Sequence, residues 1–161
     1  MNVDFNQFTE NSRQAITCAH RIARQCSYAS LEPAVLVVAI MQTDRDMVPF
    51  LLEQMNIEKV PFFTALSDAM QQLPHNGSAD GAITFSPATE QVLTTAQRLA
   101  QRSGSQVVAL EHIFWALYEV PGPVKEVMKR FGVTSAKLES AVTTFRNGNI
   151  SNPTAGGASD S

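Results

Sequence analysis

The chain opens with a segment that is apolar along one helical face only. In FTENSRQAITCAHRIA, residues 8–23, apolar side chains recur every three or four positions, as on one face of an α-helix. Thr9 precedes this pattern, and its hydroxyl is suited to accept a backbone N–H of the first turn. The pattern predicts an amphipathic helix beginning after Thr9, with an apolar face made of Ala15, Ile16, Ala19, Ile22, Ala23 and Cys26.

The same pattern returns 77 positions later (85 − 8), as FSPATEQVLTTAQRLA. Six positions are identical when the two stretches are overlaid. Ser86 takes the place of Thr9 as the cap, and Pro87 occupies the first helical position, where its missing N–H costs nothing. The second helix has an apolar face made of Val92, Leu93, Ala96, Leu99 and Ala100.

Both copies continue with three further helices. A short, very apolar helix comes first, around Leu36 and Ile113; helices at 48–55 and 124–131 follow, the latter ending at Gly132, a good helix stop. A last amphipathic helix closes each copy, and no stretch alternates as a strand would. We therefore predict an all-α domain of about eight helices, built as two tandem four-helix repeats related by a pseudo-twofold axis. The apolar positions of the last helices are Phe62, Phe63, Leu66, Ala69, Met70 and Leu73, and Leu138, Ala141, Val142 and Phe145.

Composition sets the boundaries of the repeats. Repeat one spans 5–73, a linker rich in turn residues spans 74–84, and repeat two spans 85–148, giving one domain over 1–148. From Asn147 onwards the sequence NGNISNPTAGGASDS has almost nothing to bury. We predict that 149–161 is a flexible linker towards something larger.

A duplicated unit of this kind has a physical use. The apolar stripe of each unit is wider than its own few helices can cover, so two units pack together around one core. Seams between such units are natural grooves for ligands.

Charge and hydropathy exclude several classes of partner. The net charge is −3 with 12 Lys and Arg, and no basic run provides a footprint for nucleic acid or an anionic membrane. No window approaches 18 unbroken apolar residues, and the polar N-terminus lacks a signal-peptide pattern. We predict a cytoplasmic chain that binds neither nucleic acid nor membrane.

The two cysteines are predicted to stay reduced. Cys18 and Cys26 fall on one helix, eight residues and about 12 Å apart. A disulfide needs Cα atoms within about 7 Å.

Motifs for catalysis, nucleotides and metals are missing. Neither GxxxxGK[ST] nor GxGxxG occurs, no GxSxG elbow is present, and no Cys or His pair has zinc spacing. We predict no catalytic residue, no metal site and no cofactor in this chain. His20 is predicted to lie on a solvated helix face, and His75, in the linker loop, suggests no function.

Two apolar segments are candidates for a sticky surface. IFWALYEV, residues 113–120, carries the only tryptophan, Trp115, and is bulkier than one core face needs. MVPFLLEQM, residues 47–55, is the other. We expect Trp115 to fill the core between the halves; the alternative is that part of its helix lines an open groove that grips unfolded chains.

Four segments together resemble a known family. Phe8–Thr9 with Ala15–Ile16 and Ala19, then Glu32–Pro33 with Leu36 and Ala39–Ile40, are repeated as Phe85–Ser86 with Val92–Leu93 and Ala96, then Glu111–His112–Ile113 with Ala116–Leu117. In this order and at these separations they resemble the duplicated N-terminal domain of the Clp family of AAA+ unfoldases, over about residues 5–148, and most closely its disaggregase branch.

The resemblance implies a groove with named residues. A threonine before the first helix, an acidic residue opening a second-repeat helix and a leucine on the preceding helix carry over to Thr9, Glu111 and Leu99. Another groove leucine falls at Thr95, one beside the acidic residue falls at His112, and an acidic loop residue falls near Ser105. These departures make the groove more polar here than in the family.

The resemblance also implies a function. It implies binding of exposed hydrophobic segments of unfolded or aggregated polypeptides, which pass to a hexameric AAA+ ring of the same polypeptide that uses ATP. The alternative is a docking platform for a folded adaptor protein, as in the protease-associated branches of the family. A free-standing enzyme is disfavoured because no convergent titratable groups are evident.

Overall fold

A computed structural model of the chain describes residues 3–77 and 82–150, with side chains through 148. The described residues form a 3₁₀ turn at Phe5–Gln7 and eight α-helices, and they contain no strand. This confirms the predicted all-α architecture. The helices are α1 (Glu10–Gln25), α2 (Pro33–Thr43), α3 (Met47–Gln54), α4 (Lys59–Gln71), α5 (Pro87–Arg102), α6 (Leu110–Glu119), α7 (Pro123–Arg130) and α8 (Ser135–Ile150).

The packing follows the internal repeat. Helix α1 packs against α2, and its counterpart α5 packs against α6 in the same way. Helix α2 also packs against α4, as α6 packs against α8. Finally, α4 contacts α7 of the other repeat, and its counterpart α8 contacts α3. Most helices of one half therefore have the same neighbours as their counterparts in the other half; among the described residues, the contact of α6 with α7 has no counterpart of similar extent between α2 and α3. Because the last pair of contacts crosses between the halves, the two repeats share one core.

Two short backbone pairings lock the halves together. Phe8, just before α1, forms an isolated parallel bridge with Val108, just before α6. Leu31, before α2, forms the equivalent bridge with Phe85, before α5. Since Phe8 corresponds to Phe85 and Leu31 to Val108 in the repeat, each pairing joins the first segment of one repeat to the second segment of the other.

The caps of α1 and α5 also connect the two repeats, at the places where these backbone pairings cross from one repeat to the other. Thr9 and Ser86 accept the N–H of Ser12 and Thr89 respectively, both at 3.1 Å. The Ser12 hydroxyl donates to the Val108 carbonyl at 3.1 Å, and the Thr89 hydroxyl donates to the carbonyl of the equivalent residue of repeat one, Leu31, at 2.7 Å. All four capping side chains are buried, so the caps stabilise both a helix end and the contact between repeats. The predicted caps are confirmed.

Thr89→Val is expected to lower the free energy of unfolding by about 1–2 kcal/mol, since it removes a buried donor while keeping the side-chain volume. The matched control is Thr94→Val on the exposed side of the same helix, which should change the free energy of unfolding by less than about 0.5 kcal/mol. Urea unfolding followed by circular dichroism measures both. Equal effects would contradict the role of the crossing hydrogen bond.

The second helix of each repeat forms the centre of the core. Every residue from Ala34 to Met41 in α2 and from Leu110 to Tyr118 in α6 is buried. Trp115 is 3% exposed, with the Arg102 guanidinium 5.3 Å from its ring centroid. This confirms that Trp115 fills the core. In MVPFLLEQM the side chains of Met47, Val48, Leu51, Leu52 and Met55 are likewise buried.

The helix stop predicted at Gly132 is confirmed, and α3 ends with the same backbone conformation. Gly132 (φ 91°) follows α7, and Asn56 (φ 57°) takes the same left-handed position after α3. At Asp44 the carboxylate accepts the N–H groups of Met47 at 3.1 Å and Val48 at 2.7 Å and so caps α3. Burial nevertheless raises the pKa of Asp44, which outweighs the lowering by these hydrogen bonds.

Helix α8 continues to Ile150, two residues into the segment predicted to be a flexible linker, 149–161; residues 151–161 lie outside the described part of the chain, so the flexible linker stays a prediction. One detail of the sequence prediction is wrong. His20 is half-buried, with its ring 5.2 Å from that of Phe85, rather than on a solvated face. Burial, and secondly Arg24, lowers the pKa of His20. Cys18 and Cys26 are both free thiols, as predicted.

Candidate functional site

The crossing of Phe8 and Val108 brings two of the predicted groove residues to one place. The Thr9 N–H donates to the Val108 carbonyl at 3.0 Å, and the Val108 N–H donates to Gln7 at 2.8 Å. Glu111 lies three residues beyond Val108, in the first turn of α6. The N-terminus of α1 in repeat one and the N-terminus of α6 in repeat two are thus neighbours, although their N-cap residues are 100 positions apart in sequence (109 − 9).

The side chains of Thr9 and Glu111 are committed to internal contacts. Thr9 is fully buried; its hydroxyl donates to the Ser12 Oγ at 2.9 Å and accepts the Ser12 N–H. Glu111 is 1% exposed and forms an ion pair with Arg146 of α8. These two residues hold α1, α6 and α8 together at the crossing.

His112 is a buried capping residue. Its Nδ1 accepts the Ala109 N–H at 3.0 Å, which caps α6 and places the proton on Nε2. The ring is 0% exposed. Burial, and secondly the positive charge of Arg146, lowers the pKa of His112 to about 3. The Nε2 atom has no hydrogen-bond partner among the described residues.

The remaining predicted residues separate into two groups. Thr95 and Leu99 lie on α5 and are only 6% and 5% exposed, so they face the core beside α6. Ser105 is half-exposed in the turn after α5; its hydroxyl donates to the Val107 carbonyl at 2.6 Å and accepts the Val107 N–H at 3.2 Å. Ser105 therefore reaches the surface, whereas Thr95, Leu99 and His112 lie beneath it. A direct binding role for the six residues stays a prediction.

A surface depression of about 410 Å³ lies at the end of α5 and the following loop. We call it the repeat-two depression; Gln7 and Val108, at the crossing, contribute to its lining. The lining combines amide side chains with one half-exposed valine, so the depression offers both hydrogen bonds and a small apolar contact. The other residues that characterise it are Gln97, Gln101, Gly104, Ser105, Gln106 and Val107.

A second concavity, of about 80 Å³, lies between residues of both repeats. It is nearly all apolar, and the sequence interpretation missed it. Ala34 lines it at the position that corresponds to Glu111 in repeat two (111 − 34 = 77). The methyl group of Ala34 thus occupies the position that the buried carboxylate of Glu111 occupies in repeat two. An alignment of the two repeats shows this difference from the sequence alone. Lining side chains are Pro33, Leu73, Val92, Leu117, Val120 and Val124.

Comparison with known proteins identifies the family. The model of the Clp repeat N-terminal domain matches residues 7–131 and 84–153. The chain belongs to this family. Chaperone protein ClpB of Porphyromonas gingivalis is 30% identical over 146 residues, which are 91% of this chain and 17% of that protein. The chain thus spans about one sixth of the length of this ClpB relative.

Solved structures show the same Clp N-domain fold. The N-terminal domain of Hsp104 from Candida albicans matches with a TM-score of 0.77 at 23% identity, covering 89% of this chain and 93% of that one. A complex of the ClpV N-domain with a VipB peptide matches with a TM-score of 0.70 at 13% identity, covering 86% and 89%. Among the described residues of this Clp domain, no helix is both long and apolar enough to cross a membrane.

Proposed function

We propose that this Clp repeat domain binds exposed segments of unfolded or aggregated polypeptides and delivers them to an ATP-driven hexameric ring that belongs to the same polypeptide. The observation that carries the proposal is the repeat-two depression. It is open and lies beside the crossing at which two of the six predicted groove residues, Thr9 and Glu111, are neighbours. It presents amide groups and one valine rather than a deep, shaped pocket, which favours loose recognition of chain segments over recognition of one small molecule.

The solved complex of a ClpV N-domain with a VipB peptide supports the proposal, because it records peptide binding by a domain of this fold. Because the side chains of Thr9 and Glu111 already form internal contacts, we assign these two residues a supporting role. They hold the crossing that forms one wall of the depression, and they contact a bound segment only if their internal contacts open.

Binding at one depression is expected to be weak. A shallow site with few anchors gains little beyond the cost of ordering a flexible segment. Several domains tethered to one ring raise the effective concentration of sites, so weak single contacts become useful together. Weak binding also permits release of the segment to the ring.

Val107→Ser is expected to weaken binding of an unfolded model protein by at least threefold, because it removes the half-exposed apolar group of the repeat-two depression. Fluorescence anisotropy with labelled, reduced and carboxymethylated α-lactalbumin measures the dissociation constant. Val60→Ser is the matched control, since Val60 is 74% exposed on α4 and lies outside the depression.

Equal weakening by the two substitutions would contradict the assignment of the depression. Saturable binding of one folded adaptor, without any binding of unfolded protein, would replace the proposal by the adaptor-docking alternative. Thermal melts of both variants show whether the fold is retained.

A further inference from the structure

The linker between the repeats folds back onto the end of α1. The Gly77 N–H donates to the Ser27 carbonyl at 2.9 Å. The Nδ1 atom of His75 lies 2.8 Å from the Cys26 carbonyl; because a carbonyl oxygen only accepts, Nδ1 carries the proton. The His75 ring centroid is 4.9 Å from that of Tyr28. A short segment of the linker, outside any helix, thus contacts two carbonyls and one aromatic ring at the helix end.

Helix α5 ends with the same backbone geometry as α1. Ser27 and Gly104 both take a left-handed conformation, with φ of 57° and 80°. The next residues, Tyr28 and Ser105, each donate their N–H to the carbonyl five positions back, at 3.0 and 2.9 Å. The carbonyls of Ser103 and Gly104 are therefore the counterparts of those that the linker binds in repeat one.

These two carbonyls are exposed where their counterparts are covered. No described residue donates a hydrogen bond to the carbonyl of Ser103 or of Gly104, and both residues are exposed. Gly104 lines the repeat-two depression. Ser105, which also lines it, has a small hydroxymethyl group where repeat one has the Tyr28 ring. The depression therefore includes the Gly104 acceptor, and the Ser103 acceptor belongs to the residue directly before it.

The linker also shows what such a segment requires. A Cβ atom on Gly77 would lie 2.3 Å from the backbone oxygen of Tyr28, a distance at which the backbone must shift. The segment passes close to the helix end only because it has glycine at this position. Asn76, between the two contacting residues, is exposed and carries no such constraint.

We propose that the repeat-two depression binds an extended polypeptide segment in the pose of the linker. A backbone N–H of a glycine donates to the Gly104 carbonyl, and a side-chain N–H two residues earlier, as from histidine, donates to the Ser103 carbonyl. This rests on the proposed function and names its substrate class: extended, glycine-bearing segments of unfolded polypeptides. Recognition through the N–H of one glycine and one side-chain N–H leaves the other positions of the segment unrestricted, so many glycine-bearing sequences satisfy it.

The linker itself supplies the probe. A synthetic peptide of residues 73–83, LPHNGSADGAI, is titrated into the ¹⁵N-labelled chain, and backbone amide shifts are followed. Saturable shifts are expected at Gln101, Gly104 and Ser105 and not at Ser27 or Tyr28, where the covalently attached linker excludes a second copy. Absence of saturable shifts at Gly104 and Ser105, or shifts centred on Ser27 and Tyr28, would overturn the proposal.

Variant peptides test the pose. Alanine at the position of Gly77 is expected to weaken binding at least fivefold, while alanine at the position of Asn76, the matched control, changes it less than twofold. Equal affinities of these two peptides would overturn the pose.

A gain of affinity gives an independent check. Ser105→Tyr restores the ring that Tyr28 provides to His75 and is expected to tighten the peptide about threefold. The same variant should give no gain with a peptide carrying alanine in place of its histidine. A folded Ser105→Tyr variant without the gain, or with equal gains for both peptides, contradicts the pose.

Competition separates this inference from the proposed function. Excess linker peptide is expected to displace carboxymethylated α-lactalbumin from the chain. If the unfolded protein binds but is not displaced, the inference fails and the proposed function stands. If the unfolded protein does not bind at all, the proposed function fails. The inference as stated then fails with it, even if the linker peptide changes the backbone amide shift of Gly104.

Discussion

Arg146→Met is expected to lower the free energy of unfolding by about 3 kcal/mol at pH 7. The guanidinium of Arg146 pairs with the Glu111 carboxylate, which is 1% exposed. Methionine keeps most of the side-chain volume but leaves the carboxylate without its ion-pair partner in a buried site. Domains are stable by only about 5–15 kcal/mol, so this loss is large. Urea unfolding followed at 222 nm measures it.

Two further variants test the cause. Adding Glu111→Leu to Arg146→Met should restore at least half of the loss, because the buried charge is then gone as well. Arg130→Met, at an exposed position in the last turn of α7, should change the free energy of unfolding by less than about 0.5 kcal/mol. If Arg146→Met costs no more than Arg130→Met, the ion pair does not stabilise the crossing.

Acidification below pH 6.5 is expected to destabilise the domain through His112. In the unfolded chain this imidazole titrates near pH 6.5, whereas burial lowers its pKa to about 3 in the folded state. Between these values only the unfolded state takes up the proton. The stabilising contribution of neutral His112 is therefore complete above pH 6.5 and is lost as the pH falls towards 3, at about 1.4 kcal/mol per pH unit.

The measurement compares pH slopes. From pH 6.5 to 5.0 the wild type should lose roughly 2 kcal/mol more than His112→Leu, which cannot titrate. His20→Gln is the matched control; burial lowers the pKa of His20 in the same direction, but its half-buried ring gives a smaller change in slope. A His112→Leu slope equal to that of the wild type would show that another group accounts for the acid sensitivity. The variant also loses the cap to Ala109, which shifts its stability at every pH without altering the slope.

Local features of the fold were predictable from sequence. The faces of α1 and α5, their caps at Thr9 and Ser86, and the stop at Gly132 depend on residues within one turn of each other, so the linear pattern contains them. Helices α2 and α6 are different. They are apolar nearly all round, and periodicity indicates that they are buried without showing which side faces which neighbour.

The candidate site was only partly predictable for a related reason. Resemblance to the family placed Ser105 and the crossing of Thr9 and Glu111 in one region. It did not show that Thr95, Leu99 and His112 lie under the surface, because exposure depends on how α5, α6 and α8 pack. The sequence indicated no function for the linker histidine, His75. Its contacts, with Cys26 and Tyr28, are to residues that lie 49 and 47 positions away in the sequence (75 − 26, 75 − 28).

The sequence by itself determined that this protein is a duplicated all-α domain, since repeated periodicity and caps are local properties. Tertiary structure alone decided how the two copies differ. The pairings of Phe8 with Val108 and of Leu31 with Phe85 are equivalent, so the difference between the ends of α1 and α5 comes from the linker, which among the described residues forms hydrogen bonds with the end of α1 and not with that of α5. One end is covered by the linker at Gly77 and the other is open at Gly104. Equal local sequence fixes equal backbone geometry, but whether a carbonyl is covered depends on which distant segment reaches it.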